Sequence, residues 1–424
     1  MKRVSARGVF MVEYWKKAAA IRALGGFSDT MDLFVATATY PMIGKYFGWT
    51  VATIGYVQGL TRIGTIAHAL ISGPLIDFVG RKWIWTFANL GTGITCFFLV
   101  YTATTPEAWI LIGAFRLLFT WMSGAAGIFL QEEAPPDKRA FVSAVAGVLS
   151  TVGAMSVGIG MTICGIMGWD WRALWLFNGI QNIFTTIVSA IWLKESTLWL
   201  QRKKLIEEGK LPKSERLPLK KLFSPELRKI VLIFCWMNFW LAFARSPHWF
   251  RTTYLMYDLK VDVATVGSVL TVAEGCSAIT NIIFGRLADK WGRLPVLRLT
   301  GGSFIVSILM CFLTHLIVGP AGALTMIWVS AWFVLYTIFN AAYAIPAMNW
   351  MIEMVPTSLR ASIQTLTYLL YSVEIVLATW IGLLAGTIGT GLAVAICGSL
   401  GVLFYILPPL ILRVETKGKV LTTD

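Results

Sequence analysis

The sequence predicts an all-α membrane protein: twelve transmembrane helices in two pseudo-symmetric six-helix bundles. Three observations predict it. Apolar runs of about twenty residues recur along the chain, the length that crosses a hydrocarbon core of about 30 Å. Basic residues crowd into alternate connections between those runs. Loop signatures of the first half return, in order, in the second. The composition agrees: of 424 residues, 57% are hydrophobic and 14% charged, against about 25% charged in a soluble domain.

Spans are predicted at 18–46, 51–77, 83–104, 107–131, 140–166 and 171–193, then at 229–256, 263–287, 294–317, 321–347, 360–386 and 390–412. The first seventeen residues are basic and lead into a helix without a small-x-small cleavage site, so no removed signal peptide is expected. Residues 194–228 form the long polar segment of the chain and separate a bundle at 1–193 from a bundle at 229–424. Within that linker, 201–209 has the pattern of an amphipathic surface helix. The six cysteines stand singly in apolar runs, without disulfide or metal spacing, and read as small packing residues.

Orientation follows from Lys and Arg. With both termini inside, the predicted cytoplasmic segments hold 29 of the 36 basic residues. The other seven are Lys45, Arg62, Arg116, Arg172, Arg245, Arg251 and Lys260. This asymmetry predicts a multi-pass protein of the cell membrane with both termini cytoplasmic. It also accounts for the net charge of +14 without a nucleic-acid partner.

The repeats set the architecture. Gly73, Asp77, Gly80 and Arg81 follow the second span, and Gly285, Asp289, Gly292 and Arg293 follow the eighth, at an offset of 212 residues. A second pair, Glu132-x-x-Pro135-x-x-x-Arg139 and Glu353-x-x-Pro356-x-x-x-Arg360, recurs at 221. Lys194-Glu195-Ser196 is echoed by Val414-Glu415-Thr416. Matched elements in order are the mark of two parallel repeats. Glycine permits the tight reversals, an acid suits a helix N-terminus, and Glu–Arg pairs can form and break across loops. These residues are therefore candidate gating motifs, a cytoplasmic latch. Solvated loop charge that only sets topology is the competing account.

On these residues the chain resembles the major facilitator superfamily along nearly its whole length. Finer features are similar to its sugar-porter and aromatic-acid or metabolite proton-symporter branches. Asp29-Thr-Met-Asp32 matches their Asp-x-x-Asp of span one, and Arg116 with Gly124 and Gly127 matches an Arg before small residues in span four. Glu415-Thr416-Lys417-Gly418 keeps the sugar-porter tail, whereas its counterpart is reduced to Lys194-Glu195-Ser196-Thr197-Leu198. Span seven reads Phe234-Cys-Trp-Met-Asn238-Phe-Trp-Leu-Ala-Phe-Ala-Arg245 and lacks the glutamine-rich sugar-binding motif. The resemblance implies a secondary transporter working by alternating access.

Ionisable residues at membrane depth are costly and are functional candidates by default. Asp29 and Asp32 lie in span one, Arg62 in two, Arg116 in four, Arg245 in seven, Glu274 in eight and Glu374 in eleven. At about 1.5 Å per residue, Asp32 lies roughly 18 Å and Arg116 roughly 22 Å from the cytoplasmic side, so they can meet. The proton-coupling candidates are Asp32, Arg116, Asp29 and Glu374. A permanent structural ion pair is the competing account of Asp32 and Arg116. Arg62, Arg245, Asn238, Trp236, Trp240, Tyr343 and Tyr371 are candidate substrate contacts. His68 reads as a packed, hydrogen-bonded histidine, and His248 as a weaker candidate still. Most of the 19 tryptophans fit interface anchors and helix packing.

No hydrolytic triad, metal spacing or phosphate loop stands out, so neither an enzyme nor an ATP-driven pump is expected, and no cofactor or metal. The expected function is proton-coupled movement of a small polar metabolite, an organic acid ahead of a sugar or polyol. A cation or drug exporter, prompted by Glu374 and the aromatics, and a non-transporting sensor on the same fold are the alternatives. The expected partners are the substrate, protons and the lipid bilayer, with the chain as a monomer.

Overall fold

The structure, a computed structural model, describes residues 6–126, 133, 139–210, 225, 228–319, 322–354, 366, 370 and 372–415. The side chains of 6–13, 139–144, 198, 202, 345, 348–349 and 352–353 lie outside that description. Among the described residues the chain is helical throughout, without strands. Helix α1 is Ala6–Phe47, and the second predicted span is two helices, α2 (Val51–Thr61) and α3 (Ile63–Val79). Then come α4 (Arg81–Tyr101), α5 (Pro106–Ala126), α6 (Arg139–Met167), α7 (Arg172–Trp192) and the short α8 (Thr197–Glu207). The second half runs α9 (Arg228–Thr253), a π-helical turn Tyr254–Asp258, α10 (Val263–Trp291) and α11 (Arg293–Phe312). It ends with α12 (Thr314–Ile317), α13 (Ala323–Glu353), α14 (Val373–Ile388) and α15 (Thr390–Leu412).

Nine helices among the described residues are long and apolar enough to cross a membrane by themselves. The other three predicted spans coincide with α1, which starts in basic sequence, with the interrupted pair α2–α3, and with α14, described over 16 residues. The break between α2 and α3 falls at Arg62, whose N–H donates to the Gly59 carbonyl at 3.0 Å while its own carbonyl accepts from Thr65 N at 2.9 Å. Two such three-residue closures tighten the helix locally and turn Arg62 out of register.

Helix α7 shows what solvent the fold is built for. Phe177, Ile180, Phe184, Ile187 and Ile191 are exposed at spacings of three and four, while Asn178, Gln181, Asn182, Thr185 and Ser189 are buried. A helix with its apolar stripe outward and its polar stripe inward is stable only where the surroundings are hydrocarbon.

The described contacts form two compact units. The first comprises Met1–Ala36, Ala67–Val157 and Arg172–Arg216, and the second Thr37–Ile66, Gly158–Trp171 and Leu217–Asp424. In the first, α4 packs on α5 and α7, around a core in which Trp85 is enclosed by Ala18, Ile21, Ala88, Met122 and Leu193. In the second, α9 packs on α15, α13 on α10 and α11, and α2 on α14. The α2–α14 crossing is close because Gly59 has no side chain: a β-carbon there would sit 2.5 Å from the Ile375 carbonyl oxygen. Small residues at such crossings let helix backbones approach in lipid.

Candidate functional site

The first site lies on α1, α5 and α7, within the first unit. The Asp32 carboxylate is buried, and Asn178 Nδ2 donates to its Oδ1 at 2.5 Å. Asn182 Nδ2 donates to the same oxygen at 3.3 Å, and the Thr120 hydroxyl reaches Oδ2 at 3.5 Å. The expected meeting of Asp32 and Arg116 is present, in an unexpected form. Arg116 Nη1 lies 4.0 Å from the carboxylate but donates at 2.7 Å to the Asp32 main-chain carbonyl. Its guanidinium also covers the Trp175 ring, 5.3 Å from the centroid. Neutral amides, rather than the arginine, are thus the nearest donors to the acid. Asp29, one turn earlier on α1, pairs with Arg22 at 3.8 Å. The indole of Trp121 stacks on His68, whose Nδ1 shares a hydrogen bond with the Ser72 hydroxyl at 2.6 Å.

The second site lies on α2, α9 and α14, within the second unit. Glu374 is buried between two arginines: Arg62 Nη1 is 3.3 Å from one carboxylate oxygen, and Arg245 Nη1 is 3.7 Å from the other. The break at Arg62 brings its guanidinium over the Trp249 ring at 5.2 Å. Gln58, one turn before, donates to the Trp249 carbonyl at 3.3 Å. Arg245 is the accessible member, with 41% of its side chain exposed.

A further buried pair gives Glu274, named above among the membrane-depth charges, a partner that the sequence reading did not assign to it. Arg251 Nη1 and Glu274 Oε1 are 2.8 Å apart, with side chains only 2% and 7% exposed, and the Arg251 guanidinium lies over Phe333. Sequence reasoning grouped Arg251 with the basic residues left off the cytoplasmic side. Its position inside the predicted span 229–256, on α9, is the signal that would have set it beside the other membrane-depth charges.

The remaining substrate candidates are distributed. Asn238 is buried, donates to the Phe234 carbonyl of its own helix at 2.9 Å, and leaves Oδ1 without a hydrogen bond among the described residues. Trp236 and Trp240 pack against Phe404 of α15, and the Trp236 indole N–H donates to its carbonyl at 2.9 Å. Tyr343 stacks on Phe304 and meets Tyr405 edge-on. Tyr371 lies outside the described residues.

The paired loops share one geometry. Gly80 has φ +107° and Gly292 has φ +104°, both with extended ψ, and each donates its N–H at 3.1 Å to a carbonyl four residues back. Glu195 Oε1 then accepts from Arg81 N at 2.9 Å and Lys82 N at 3.1 Å, so it caps α4. Glu415 does the same for α11, accepting from Arg293 N at 2.8 Å and Leu294 N at 3.0 Å. A carboxylate there meets unbonded amides and the positive end of the helix dipole. Asp289 pairs with the Arg293 side chain at 2.6 Å. Asp77 is exposed, and its carbonyl accepts from the Trp199 indole at 3.0 Å. Gly73 and Gly285 have open space where a side chain would start. Of the second motif, Glu132 and Arg360 lie outside the described residues, as do the side chains of Arg139 and Glu353. The neighbouring Glu133, which the motif does not single out, accepts from Thr197 N at 2.8 Å and from the Thr197 hydroxyl at 2.9 Å at the start of α8. Below it, Tyr14 hydroxyl accepts from Lys194 N at 2.9 Å, and burial pushes that phenol up to about 12.

Inverted helices, buried acid–arginine groups and twin capped loops together define a multi-pass membrane transporter. The profile of the Major Facilitator Superfamily matches residues 22–254 and again 250–423, and the chain belongs to that superfamily. It is 22% identical over 433 residues to the putative metabolite transport protein YwtG of Bacillus subtilis (strain 168), covering 94% of this chain and 91% of that one. The 4-hydroxybenzoate transporter PcaK of Pseudomonas putida is 25% identical over 186 residues, 41% of this chain and 39% of that one. Among solved structures, the inward open conformation of the xylose transporter XylE from E. coli has a TM-score of 0.75 at 14% identity, covering 95% of this chain and 97% of that one. That likeness is one of fold.

Proposed function

We propose that this transporter moves a small organic anion by alternating access, driven by protons, from a place in the cell membrane with both termini cytoplasmic. The observation that carries the anion reading is Glu374, a buried carboxylate between two guanidiniums. The three side chains sum to one positive charge, and Arg245 is open enough for a second carboxylate to reach it. Trp249, beneath Arg62, suits a flat or apolar body behind that carboxylate. The activity in the name of PcaK is compatible with such a substrate, and span seven lacks the amide-rich motif that would favour a sugar.

Asp32 is the proton carrier in this reading. Its protonation leaves Arg116 hydrogen-bonded to a main-chain carbonyl and covering the Trp175 ring, contacts that persist and soften the loss of its counter-charge. The two sequence repeats, 1–193 and 229–424 joined by 194–228, are the moving bodies. The capped loops at Gly80 and Gly292, with Asp77, Arg81, Asp289 and Arg293, form their latch. The Lys and Arg asymmetry supports the orientation, and a single cysteine at Lys210 should be labelled only from the cytoplasmic side.

Proteoliposomes test the function directly. Uptake of 4-hydroxybenzoate, citrate, glucose and tetraethylammonium is measured with and without an inward proton gradient. A carboxylate should accumulate only with the gradient. Arg245→Gln should abolish its uptake, and Asp32→Asn should lose accumulation while keeping counterflow. Gradient-driven accumulation by Asp32→Asn would remove Asp32 from the mechanism; uptake of glucose alone would replace the anion by a sugar.

A further inference from the structure

Around Asp32, apart from the Thr120 hydroxyl of α5 at 3.5 Å, the hydrogen-bonding side chains come from α7, which carries no charge at this level. Asn178 and Asn182 of α7 both point Nδ2 at Asp32 Oδ1, at 2.5 and 3.3 Å. Asn182 Nδ2 also reaches the Asn178 carbonyl at 3.0 Å and its Oδ1 at 3.3 Å, and Asn178 Nδ2 reaches Cys96 Sγ at 3.4 Å. Both asparagines are essentially inaccessible, 0% and 1% exposed. On the other side of this donor set are acceptors without work: Asn182 Oδ1 and, one residue earlier, Gln181 Oε1 are buried and make no hydrogen bond among the described residues. Gln181 is held by its own amide, which donates to the Ser28 and Thr185 hydroxyls at 2.6 and 3.0 Å.

A buried acceptor left unbonded is expensive, and each such group asks for an explanation. A carboxylate needs donors; a carboxylic acid needs one acceptor for its own hydrogen. A primary amide offers either, by rotating half a turn. We propose that Asn178 and Asn182 are positioning residues for the proton carried by Asp32: their N–H groups hold the carboxylate, and the idle Asn182 carbonyl oxygen receives the O–H of the acid. Binding a proton forms the Asp32 O–H bond, with the proton taken from water on the side that is open, and its release returns it to water on the other side. The amide partners stay in contact through both states, so the acid is never left buried and unsatisfied.

This inference rests on the proton-coupling reading above. The charged and titratable groups around Asp32 are Arg116 of α5, Cys96 of α4, and Asp29 with its partner Arg22 on α1. The α7 face contributes amides and hydroxyls. Arg116 donates to a main-chain carbonyl that titration leaves unchanged. The amides are thus the direct donors whose role must change with the proton.

The test needs no transported substrate. Purified protein in lipid is titrated with acid while infrared difference spectroscopy follows the carboxylic-acid C=O stretch, assigned to Asp32 by its loss in Asp32→Asn. In Asn182→Ala the band should move to higher frequency, because the acid has lost its acceptor. In Asn178→Ala with Asn182→Ala the titration midpoint should also move alkaline by about one pH unit, as donors to the charged form disappear. Asn182→Gln, which keeps an amide, should restore part of the frequency shift; a merely structural role would not respond to it. If the double variant does not fold, Asn182→Ala alone decides the frequency. Frequency and midpoint unchanged from the wild type would overturn the proposal. Absence of any Asp32-dependent band in the wild type would instead sink the proton-coupling reading on which it rests.

Discussion

The capped loops give the sharpest energetic expectation, because one glycine and one glutamate occupy the same space. Gly80 sits at φ +107° and ψ 159°, a backbone region that is essentially reserved for glycine and costs other residues about 1–3 kcal/mol. A β-carbon at Gly80 would also press on Glu195 Oε2, the carboxylate that caps α4. Glu195→Ala leaves three amides, those of Arg81, Lys82 and Ser196, without that acceptor and removes a charge from the helix N-terminus. A lost cap costs about 1 kcal/mol, and the lost charge adds about 0.3–1 kcal/mol. Glu195→Gln keeps an acceptor oxygen and should cost only the charge part. Gly80→Ala should cost more than either, because it strains the backbone and dislodges the cap together.

It follows that Gly80→Ala and Glu195→Ala are not additive: once the cap is gone, the alanine has nothing to displace, and the pair should cost about 1 kcal/mol less than the sum. The same cycle at Gly292 and Glu415, where a β-carbon meets Glu415 in the same way, should give a similar coupling. The assay is unfolding free energy from SDS titration in mixed micelles, for both cycles. Additivity within about 0.3–0.5 kcal/mol, the level seen for independent sites, would refute the account. Equal costs for Glu195→Gln and Glu195→Ala would refute the dipole part of it.

Three other outcomes are expected. In the Arg251–Glu274 pair, removing one partner as Glu274→Gln should cost about 3–5 kcal/mol by leaving a buried cation, while Arg251→Met with Glu274→Met should recover most of the folded yield; the same SDS titration reads both. Around Glu374, Arg245→Gln should cost less stability than Glu374→Gln, because Arg62 remains as the closer partner of the carboxylate, so its loss of uptake will separate from folding, whereas Glu374→Gln should lower folded yield. At the start of α10, Asp262 accepts from Thr265 N at 2.9 Å, and hydrogen bonding from the Thr265 side chain first and its N–H second holds the Asp262 carboxyl below the usual carboxylate range. A carboxylate lowered on folding stabilises above its unfolded value and loses that contribution as pH falls through the folded one, so Asp262→Ala should be less stable than wild type at neutral pH, with the gap closing in acid.

How much of this was legible in the sequence depends on the kind of signal. Spans, repeats and loop motifs rest on composition and spacing, and the two loops indeed share a backbone turn at Gly80 and Gly292. The meeting of Asp32 and Arg116 followed from counting residues along two helices. What counting does not reveal is the partner of each atom: Arg116 reaches a main-chain oxygen, and the acid is held from α7. The polar stripe 178, 181, 182, 185 and 189 was present as a pattern, but amides and hydroxyls carry no charge and do not stand out as costly. The break at Arg62 was hidden for a different reason: no proline marks it, and it arises from a choice of carbonyl by one N–H. Glu133 was hidden by its neighbour, since a motif names positions while capping depends on which carboxylate the loop turns toward the helix.

Two of the buried carboxylates, Asp32 and Glu374, differ in a way that divides the work proposed for them. Asp32 is surrounded by neutral donors, and the arginine nearest it is anchored elsewhere. Adding a proton there changes one charge and leaves each neighbour with a partner. Glu374 is the shared counter-ion of Arg62 and Arg245. Adding a proton there would strip two guanidiniums of their common partner at once, and a stranded charge in a poorly solvated place costs several kcal/mol. In the proposed cycle a negatively charged substrate at Arg245 would have the opposite effect, compensating the excess cation and loosening the hold on Glu374. We infer that proton exchange belongs to the amide-held acid and anion exchange to the arginine-held one. A chain carrying Asp32→Asn should therefore keep anion counterflow, while Arg62→Gln should weaken anion binding and leave the Asp32 titration where it was. Loss of the Asp32 titration in Arg62→Gln would show that the two carboxylates do not divide the work in this way.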